Sequence, residues 1–174
     1  MDDRTLIARI QRGQTEALNE VANKYYDDIY RFCYFLTGYR EESYDLAQET
    51  FLKFIKYVDH YQYKNLKGYL LTIARNICID YMRDKAQEVS LTEQTPNEVW
   101  QEVSSEDQFS KLVQREALTT ALWQLPRMQR EALLLYYYHD LKLREIAAVT
   151  GTNLSTVKSR IRQGTDKLKK WLKE

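Results

Sequence analysis

The chain has 174 residues, of which 44% are hydrophobic and 29% charged, and its formal net charge is +1. Only five Gly and two Pro occur, a composition that suits a helical protein of one domain or two small ones. The longest uncharged apolar run, residues 132–138, is much shorter than the roughly 18 residues that a membrane span requires, and the N-terminus has no apolar signal core. We therefore expect a cytoplasmic protein that is not inserted in a membrane.

Residues 1–86 predict a helical domain with three long helices. Apolar side chains recur every three or four residues in the first two of them, at Leu18, Val21, Tyr25, Ile29, Phe32 and Leu36, and then at Leu46, Thr50, Phe54 and Val58. The inward positions of the third, from about Leu66 to Lys85, are predicted to be Leu66, Leu70, Ile73, Ile77 and Tyr81. Its outer side carries a polar stripe, which by itself fits an ordinary solvent-facing surface.

The charges of the chain are segregated. Residues 1–86 hold 13 basic and 13 acidic side chains, residues 87–110 hold six acids and no base, and residues 111–174 hold 13 bases and six acids. This distribution predicts two domains, 1–86 and 111–174, joined by an acidic linker. Because the linker contains Pro96 and no sustained periodicity, we expect it to be irregular. It is either a solvated spacer or a binding segment, and its composition favours neither.

No pattern of catalytic or metal-binding residues stands out. Cys33 and Cys78 lie far apart without a CxxC or Cys/His cluster, which favours two core thiols in a reducing compartment. His60 is predicted in a loop and His139 at a helix end. The sequence also has no Ser/His/Asp set and no phosphate-binding Gly loop, so we expect neither catalysis nor a cofactor or metal.

Residues 111–174 predict four helices. In the first of them Leu118, Leu122 and Leu125 share a face, and Pro126 begins the second, over residues 127–138, at a position where its missing N–H does no harm. The inward positions of this second helix are predicted to be Leu134, Leu135 and Tyr138. The last two helices cover residues 143–150 and 154–172.

The last two helices have the pattern of a helix-turn-helix. Ala147 supplies a small side chain for the crossing, Gly151 accepts the positive φ of the turn, and Val157 seals the core between the helices with Ile146 and Ile161. Asn153 is a suitable N-cap for the second helix. The outward side chains, which can reach phosphates or base edges, are Lys158, Ser159, Arg162 and Gln163. The alternative is a helical hairpin with a solvated basic face.

Four motifs follow one another along the chain at compatible spacing. Residues 45–51 read DLAQETF, residues 69–83 read YLLTIARNICIDYMR, residues 125–131 read LPRMQRE, and residues 156–160 read TVKSR. Their order resembles the extracytoplasmic-function (ECF) sigma factors, which are two-domain specificity subunits of bacterial RNA polymerase. The resemblance covers nearly the whole chain and implies an all-α protein with a sigma region 2 domain and a sigma region 4 domain.

The resemblance also implies partners and contact residues. Core polymerase would be bound by Asp45, Gln48, Glu49 and Phe51. The melted −10 promoter strand would be bound by Tyr61, Tyr63, Thr72, Asn76, Asp80 and Arg83, within the loop 59–68 and the third helix. The −35 duplex would be bound by Asn153, Ser155, Thr156, Lys158, Ser159, Arg160, Arg162 and Gln163. An anti-sigma factor, often membrane-anchored, would hold the protein inactive, and the linker would pass through polymerase channels toward the active site.

The chain departs from the family pattern at three positions. Tyr69 stands where relatives often have Trp, Gln163 where many have a basic or small residue, and Thr152 where an apolar residue is common. The −35 sequence preference therefore does not carry over. Two other classes remain open, a stand-alone repressor or activator and an enzyme with an appended DNA-binding domain. Promoter-dependent transcription with core polymerase separates them.

Overall fold

The computed structural model describes residues 2–61, 65–89 and 109–173, and these residues form helices and turns without a strand. The chain divides into two compact helical units, Met1–Pro96 and Asn97–Glu174. The predicted all-α fold with two small helical domains is thus confirmed. Residues 90–108, which include most of the predicted acidic linker, lie outside the described residues.

The described residues of the first unit form four α-helices. They are α1 (Asp3–Gln11), α2 (Glu16–Thr37), α3 (Arg40–Tyr57), which continues into a 3-10 turn (Val58–His60), and α4 (Leu66–Val89). Gly38 ends α2 at φ 80°, and its N–H donates to the Tyr34 carbonyl at 2.8 Å. Helix α4 extends to Val89, past residue 87, where the linker was predicted to begin.

The core of the first unit lies where α2, α3 and α4 pack against one another. Its fully buried side chains include Val21, Ile29, Phe32, Phe54, Leu66, Leu70, Leu71, Ala74 and Cys78. Ile73 and Tyr81, predicted to face inward, are only partly buried. Helix α4 packs against both α2 and α3, and its buried side also takes in Leu71, Ala74 and Cys78. The centre of this buried side is therefore turned away from Ile73, which lies at its edge.

Helix α1 was not among the predicted elements. The Asp2 carboxylate accepts a hydrogen bond from the Thr5 N–H at 2.8 Å, which caps the helix, and Leu6, Ile7 and Ile10 are buried against the rest of the unit. An acidic cap followed by apolar residues at helical spacing was therefore present in the sequence as a signal.

The second unit also contains four described helices. They are α5 (Phe109–Gln124), α6 (Arg127–Leu133), which continues as a π-helical segment (Leu134–Tyr138), α7 (Leu143–Thr150) and α8 (Leu154–Lys173). Pro126 precedes α6 as predicted, and its carbonyl accepts from the N–H groups of Gln129 and Arg130, each at 3.0 Å. The buried residues of this unit include Ala121, Leu125, Leu133, Leu135, Ile146 and Val157.

One of the predicted inward positions in this unit is wrong. Tyr138 is 41% exposed, because the π-helical segment widens the turn and shifts the helical phase, so that Leu134 and Leu135 face inward and Tyr138 faces out. The widened turn is closed by the His139 N–H, which donates to the Leu134 carbonyl at 2.9 Å. Leu118 is also exposed, although it is in phase with the buried Leu125.

Candidate nucleic-acid interface and docking surface

The helix-turn-helix of the second unit has the predicted local geometry. Gly151 ends α7 in the left-handed conformation, at φ 65° and ψ 35°, and the Thr152 N–H donates to the Ala147 carbonyl at 3.0 Å. Val157 and Ile146 are buried between the two helices, while Ala147 and Ile161 are partly exposed. A residue with a Cβ would be strained at this φ, so Gly151 determines how α8 leaves the turn.

Asn153 begins α8 as its N-cap. Its side-chain Oδ1 accepts from the Thr156 N–H at 2.8 Å, and its backbone carbonyl accepts from the Val157 N–H at 3.2 Å. The predicted cap is confirmed. Because Oδ1 accepts in the cap, the side-chain NH2 (Nδ2) is the part of Asn153 that can donate to DNA.

The exposed side of α8, which we call the recognition face, carries most of the residues predicted for the −35 element. Ser155, Lys158, Arg162 and Gln163 are exposed, and Thr156, Ser159 and Arg160 are partly exposed. Lys158 and Arg162 are four residues apart and so lie on the same side of the helix. Gln163 accepts at Oε1 from Gln129 Nε2 at 3.1 Å, which ties its amide to α6.

Two features of this motif were not predicted from the sequence. Gly164 is buried, and a Cβ built on it would lie 2.9 Å from Leu133 Cδ1, so α8 approaches α6 too closely there for an ordinary side chain. A Gly within a strongly helical pattern was the available signal. Lys142 and Arg144, at the start of α7, are both exposed and add positive charge to the motif. Cations at a helix N-terminus oppose the helix dipole, so they do not serve helix stability.

On α4 the predicted polar stripe is Thr72, Asn76, Asp80 and Arg83, which we call the α4 stripe. Asn76, Asp80 and Arg83 are exposed, whereas Thr72 is partly buried and its hydroxyl donates to the Gly68 carbonyl at 2.8 Å. Asp80 and Arg83 form an exposed ion pair at 3.0 Å. Asn76 is therefore the exposed amide of the stripe, able both to donate to and to accept from a base edge.

Tyr61 lies at the beginning of the loop that precedes α4. Its ring centroid is 4.5 Å from that of Tyr69, and Tyr69 in turn contacts Phe54 at 6.2 Å. Burial raises the pKa of Tyr69. At the other end of the loop, Asn65 Oδ1 accepts from the Gly68 N–H at 3.1 Å. The predicted contact residue Tyr63 lies outside the described residues.

The exposed side of α3, which we call the α3 face, combines polar and apolar side chains. Asp45, Gln48 and Glu49 are exposed, as the resemblance implied for a docking surface. Phe51 differs from them, because it is only 9% exposed and stacks on Tyr26 at a centroid distance of 6.2 Å. Its ring therefore holds α3 against α2 instead of pointing toward a partner.

Leu52 and Ile55 were not singled out from the sequence, yet they are 66% and 43% exposed on α3. They are out of phase with the buried residues Leu46 and Phe54 of the same helix, which was the available signal. Two large apolar side chains beside exposed acids resemble the anatomy of a protein–protein interface more than that of a solvated helix.

A row of stacked tyrosines adjoins the α3 face. Tyr30 of α2 stacks on Tyr44 of α3 at 4.4 Å and on Tyr34 at 6.4 Å. Burial, followed by a hydrogen bond with Tyr44, raises the pKa of Tyr30 to about 12. The Tyr30 phenol therefore stays protonated and neutral at physiological pH.

Within the described part of the chain, no group of three or more His, Cys, Asp or Glu is arranged to hold a metal ion. No helix in that part is both long enough and apolar enough to cross a membrane. Cys33 and Cys78 are buried thiols without a disulfide, as predicted. His139 is buried at a helix end and His60 is exposed in the 3-10 turn.

Two family models match the chain. Residues 21–88 match Sigma-70 region 2, and residues 115–168 match Sigma-70, region 4. The ECF RNA polymerase sigma factor SigM of Bacillus subtilis is 29% identical over 152 residues, which are 87% of this chain and 93% of SigM. The ECF RNA polymerase sigma factor SigC of Mycobacterium tuberculosis is 30% identical over 159 residues, which are 90% of this chain and 84% of SigC.

A solved structure is similar in fold. The sigma factor RpoE from Bartonella quintana, in complex with the anti-sigma factor NepR, superposes with a TM-score of 0.76 and 25% sequence identity. The match covers 89% of this chain and 96% of that chain.

Proposed function

We propose, since this chain belongs to the ECF family of RNA polymerase sigma factors, that its two units divide promoter recognition between them. Residues 1–86 bind core polymerase and the melted −10 strand, and residues 111–174 bind the −35 duplex. The acidic segment 87–110 connects them and passes through polymerase channels toward the active site. The chain directs where transcription begins and supplies no bond-making chemistry, which belongs to polymerase. Its place is the cytoplasm, where polymerase and promoter DNA are found.

The geometry of α8 is the observation that carries this proposal. The helix is capped by Asn153 and sealed to α7 by Val157, while Lys158 and Arg162 are exposed one turn apart. The second helix of a helix-turn-helix lies in the major groove with its N-terminal residues toward the base edges. Lys and Arg in that position donate to guanine edges or to phosphates. Lys142 and Arg144 add phosphate contacts from the first helix.

The α3 face suits a protein partner. Leu52 and Ile55 expose apolar area, and its burial against a partner makes the free energy of binding more favourable. Asp45, Gln48 and Glu49 pair with basic or polar groups across the interface, which determines register and specificity more than affinity. We assign core polymerase to this face, in agreement with the motif at residues 45–51.

The α4 stripe and the tyrosines of the loop suit single-stranded DNA. Opening a duplex costs unstacking energy, which is offset when a base stacks on a side chain and its edge is hydrogen-bonded. Asn76 supplies the edge contacts, and Tyr61, together with Tyr63 outside the described residues, supplies aromatic faces. Arg83 gives up its ion pair with Asp80 and binds a phosphate of the DNA backbone instead.

We also propose that an anti-sigma factor regulates the chain. The related RpoE structure contains such a partner, NepR, and the α3 face offers the exposed apolar area that an inhibitor of polymerase docking would cover. Purification of the tagged chain from its native cells, with and without Leu52→Lys, tests this. We expect an inhibitory protein to co-purify with the natural chain and to be lost from the variant.

Promoter-dependent run-off transcription tests the proposed function. Core polymerase with this chain should produce transcripts from its cognate promoters, and core polymerase alone should not. The run-off assay also separates the two other classes. A chain that binds duplex DNA as a dimer but starts no transcript with core polymerase would be a stand-alone regulator. A chain that modifies a substrate without polymerase would be an enzyme.

A further inference from the structure

Gln11, the last residue of α1, contacts the beginning of the loop that precedes α4. Its Nε2 donates to the backbone carbonyl of Val58 at 3.0 Å and to that of Tyr61 at 3.3 Å. These two carbonyls belong to the 3-10 turn and to the residue directly after it. The Val58 carbonyl also accepts from the Tyr61 N–H at 3.1 Å, which closes the 3-10 turn. The Gln11 amide adds a second hydrogen bond to this carbonyl and one to the Tyr61 carbonyl, from a part of the chain about fifty residues away.

Gln11 is itself held in place, because α1 is docked on α2. Leu6, Ile7 and Ile10 are buried, and Asp3 accepts from Lys24 at 2.7 Å. Near the end of α1, Arg9 donates to Glu20 at 3.1 Å. Helix α1 precedes residues 21–88, which match Sigma-70 region 2. Helix α1, which lies outside the residues that match Sigma-70 region 2, therefore donates hydrogen bonds through Gln11 to two carbonyls within them.

Tyr61 is held from two sides. Gln11 contacts its backbone carbonyl, and the ring of Tyr69 lies 4.5 Å from its own ring. Gln11 also contacts Val58, whose side chain is buried, so the backbone from Val58 to Tyr61 is tied to the core at both ends. A side chain whose backbone is ordered before binding loses less conformational entropy when it takes up a ligand.

We propose that Gln11 is a positioning residue for recognition of the −10 strand. By donating to the carbonyls of Val58 and Tyr61, it orients the Tyr61 ring toward an unstacked base. The inference rests on the proposed function of the first unit, in which Tyr61 contacts melted promoter DNA. Gln11 does not touch the DNA and acts through the backbone of the loop.

Three variants of the full chain test the inference. Gln11→Met keeps the length of the side chain but removes the donor, Gln11→Lys keeps a donor, and Gln14→Met makes the same change at an exposed Gln that bonds Arg9 and not the loop. Each is assembled with core polymerase. The probe is the single strand of the −10 region from a promoter that supports run-off transcription, with binding measured by fluorescence anisotropy.

The expected result separates a positioning role from a structural one. Gln11→Met should bind the single strand about three- to tenfold more weakly, which is the loss of one or two neutral hydrogen bonds. Gln11→Lys should recover most of that affinity, and Gln14→Met should match the natural chain. Affinities for the −35 duplex and for core polymerase should be unchanged in all three. Hydrogen exchange of residues 58–61 should be faster in Gln11→Met alone.

Three results would overturn the inference: single-strand affinity of Gln11→Met equal to that of the natural chain, an equal loss of −35 duplex affinity, or no recovery with Gln11→Lys. If the proposed function itself is wrong, the natural chain will bind the −10 strand no better than a scrambled strand. If only the Gln11 inference is wrong, the natural chain will distinguish the two strands, and only the results for the variants will differ from those expected.

Discussion

Lys158 and Arg162 are single residues whose contribution can be measured separately from folding, since both are exposed on α8. We predict that Lys158→Ala or Arg162→Ala weakens binding to the −35 duplex by about 1–3 kcal/mol where the side chain contacts a base. The measurement is a duplex titration at fixed salt. Lys169→Ala, an exposed residue two turns beyond on the same helix, removes the same charge and serves as the control. Unchanged affinity and salt dependence in both variants would place these side chains in solvent.

Gly164 is a residue whose importance comes from packing. A Cβ there would lie 2.9 Å from Leu133 Cδ1 and 3.3 Å from Leu133 Cγ. We predict that Gly164→Ala lowers the free energy of unfolding by about 1 kcal/mol, because overpacking costs about 1–3 kcal/mol and the gain in helix propensity offsets up to about 1 kcal/mol.

Denaturant unfolding of the full chain measures the Gly164 effect, and Leu133→Ala provides the matched background. In that background the same Gly164→Ala change should be neutral or stabilising, because the clashing side chain is gone. Equal destabilisation in both backgrounds would mean that Leu133 is not the cause.

At the level of single residues, local rules predicted what depends on local geometry. Gly151 and Asn153 have the predicted turn and cap, since both are determined by hydrogen bonds within a few residues. Phe51 and Tyr138 could not be placed in this way. Phe51 is buried because Tyr26 of another helix stacks on it, and Tyr138 is exposed because a π-helical segment precedes it.

At the level of elements, α3 offers a test of its exposed face. We predict that Leu52→Lys weakens binding to core polymerase about tenfold, equivalent to roughly 1.4 kcal/mol, because a charge replaces apolar area in the interface. Since Leu52 is 66% exposed, the fold should be unaffected. Leu172→Lys makes the same change at an exposed Leu of α8 and should leave binding to core polymerase unchanged. Full polymerase affinity in Leu52→Lys would remove the α3 face from the docking surface.

Element boundaries followed from the sequence where a cap or a breaker marks them. Gly38, a residue that favours helix ends, terminates α2, and Pro126 precedes α6 as predicted. The buried stripe of α4 was less predictable, because periodicity shows that a helix has an apolar side but not how many neighbours cover it. Helix α4 packs against two helices, and its buried side is accordingly broader than the predicted one.

At the level of the whole molecule, the distribution of charge matters more than its total. We predict that affinity for the −35 duplex falls steeply with salt although the net charge is only +1, because residues 111–174 carry 13 bases and six acids. The logarithm of the binding constant should fall against that of the salt concentration with a slope of about −0.9 for each phosphate contacted.

Two variants test which unit causes the predicted salt dependence. Lys142→Ala should reduce the slope by about one if this residue contacts a phosphate. Lys53→Ala, an exposed residue of the first unit, should leave the slope unchanged. A slope near zero in the natural chain would contradict electrostatic attachment by the second unit.

The amino-acid sequence alone determined that this protein is all-α, that charge separates two helical domains, and that α7 and α8 form a helix-turn-helix. Helical periodicity, caps and turn residues act over a few neighbouring positions, so they can be recognised without knowing the fold. The tertiary structure decided which side chains remain available to partners. Phe51 is buried, whereas Leu52 and Ile55 are exposed on the same helix. Leu133 packs closely against Gly164, and Gln11 donates hydrogen bonds to the carbonyls of Val58 and Tyr61. These outcomes depend on contacts between residues distant in the chain, and no local pattern specifies them.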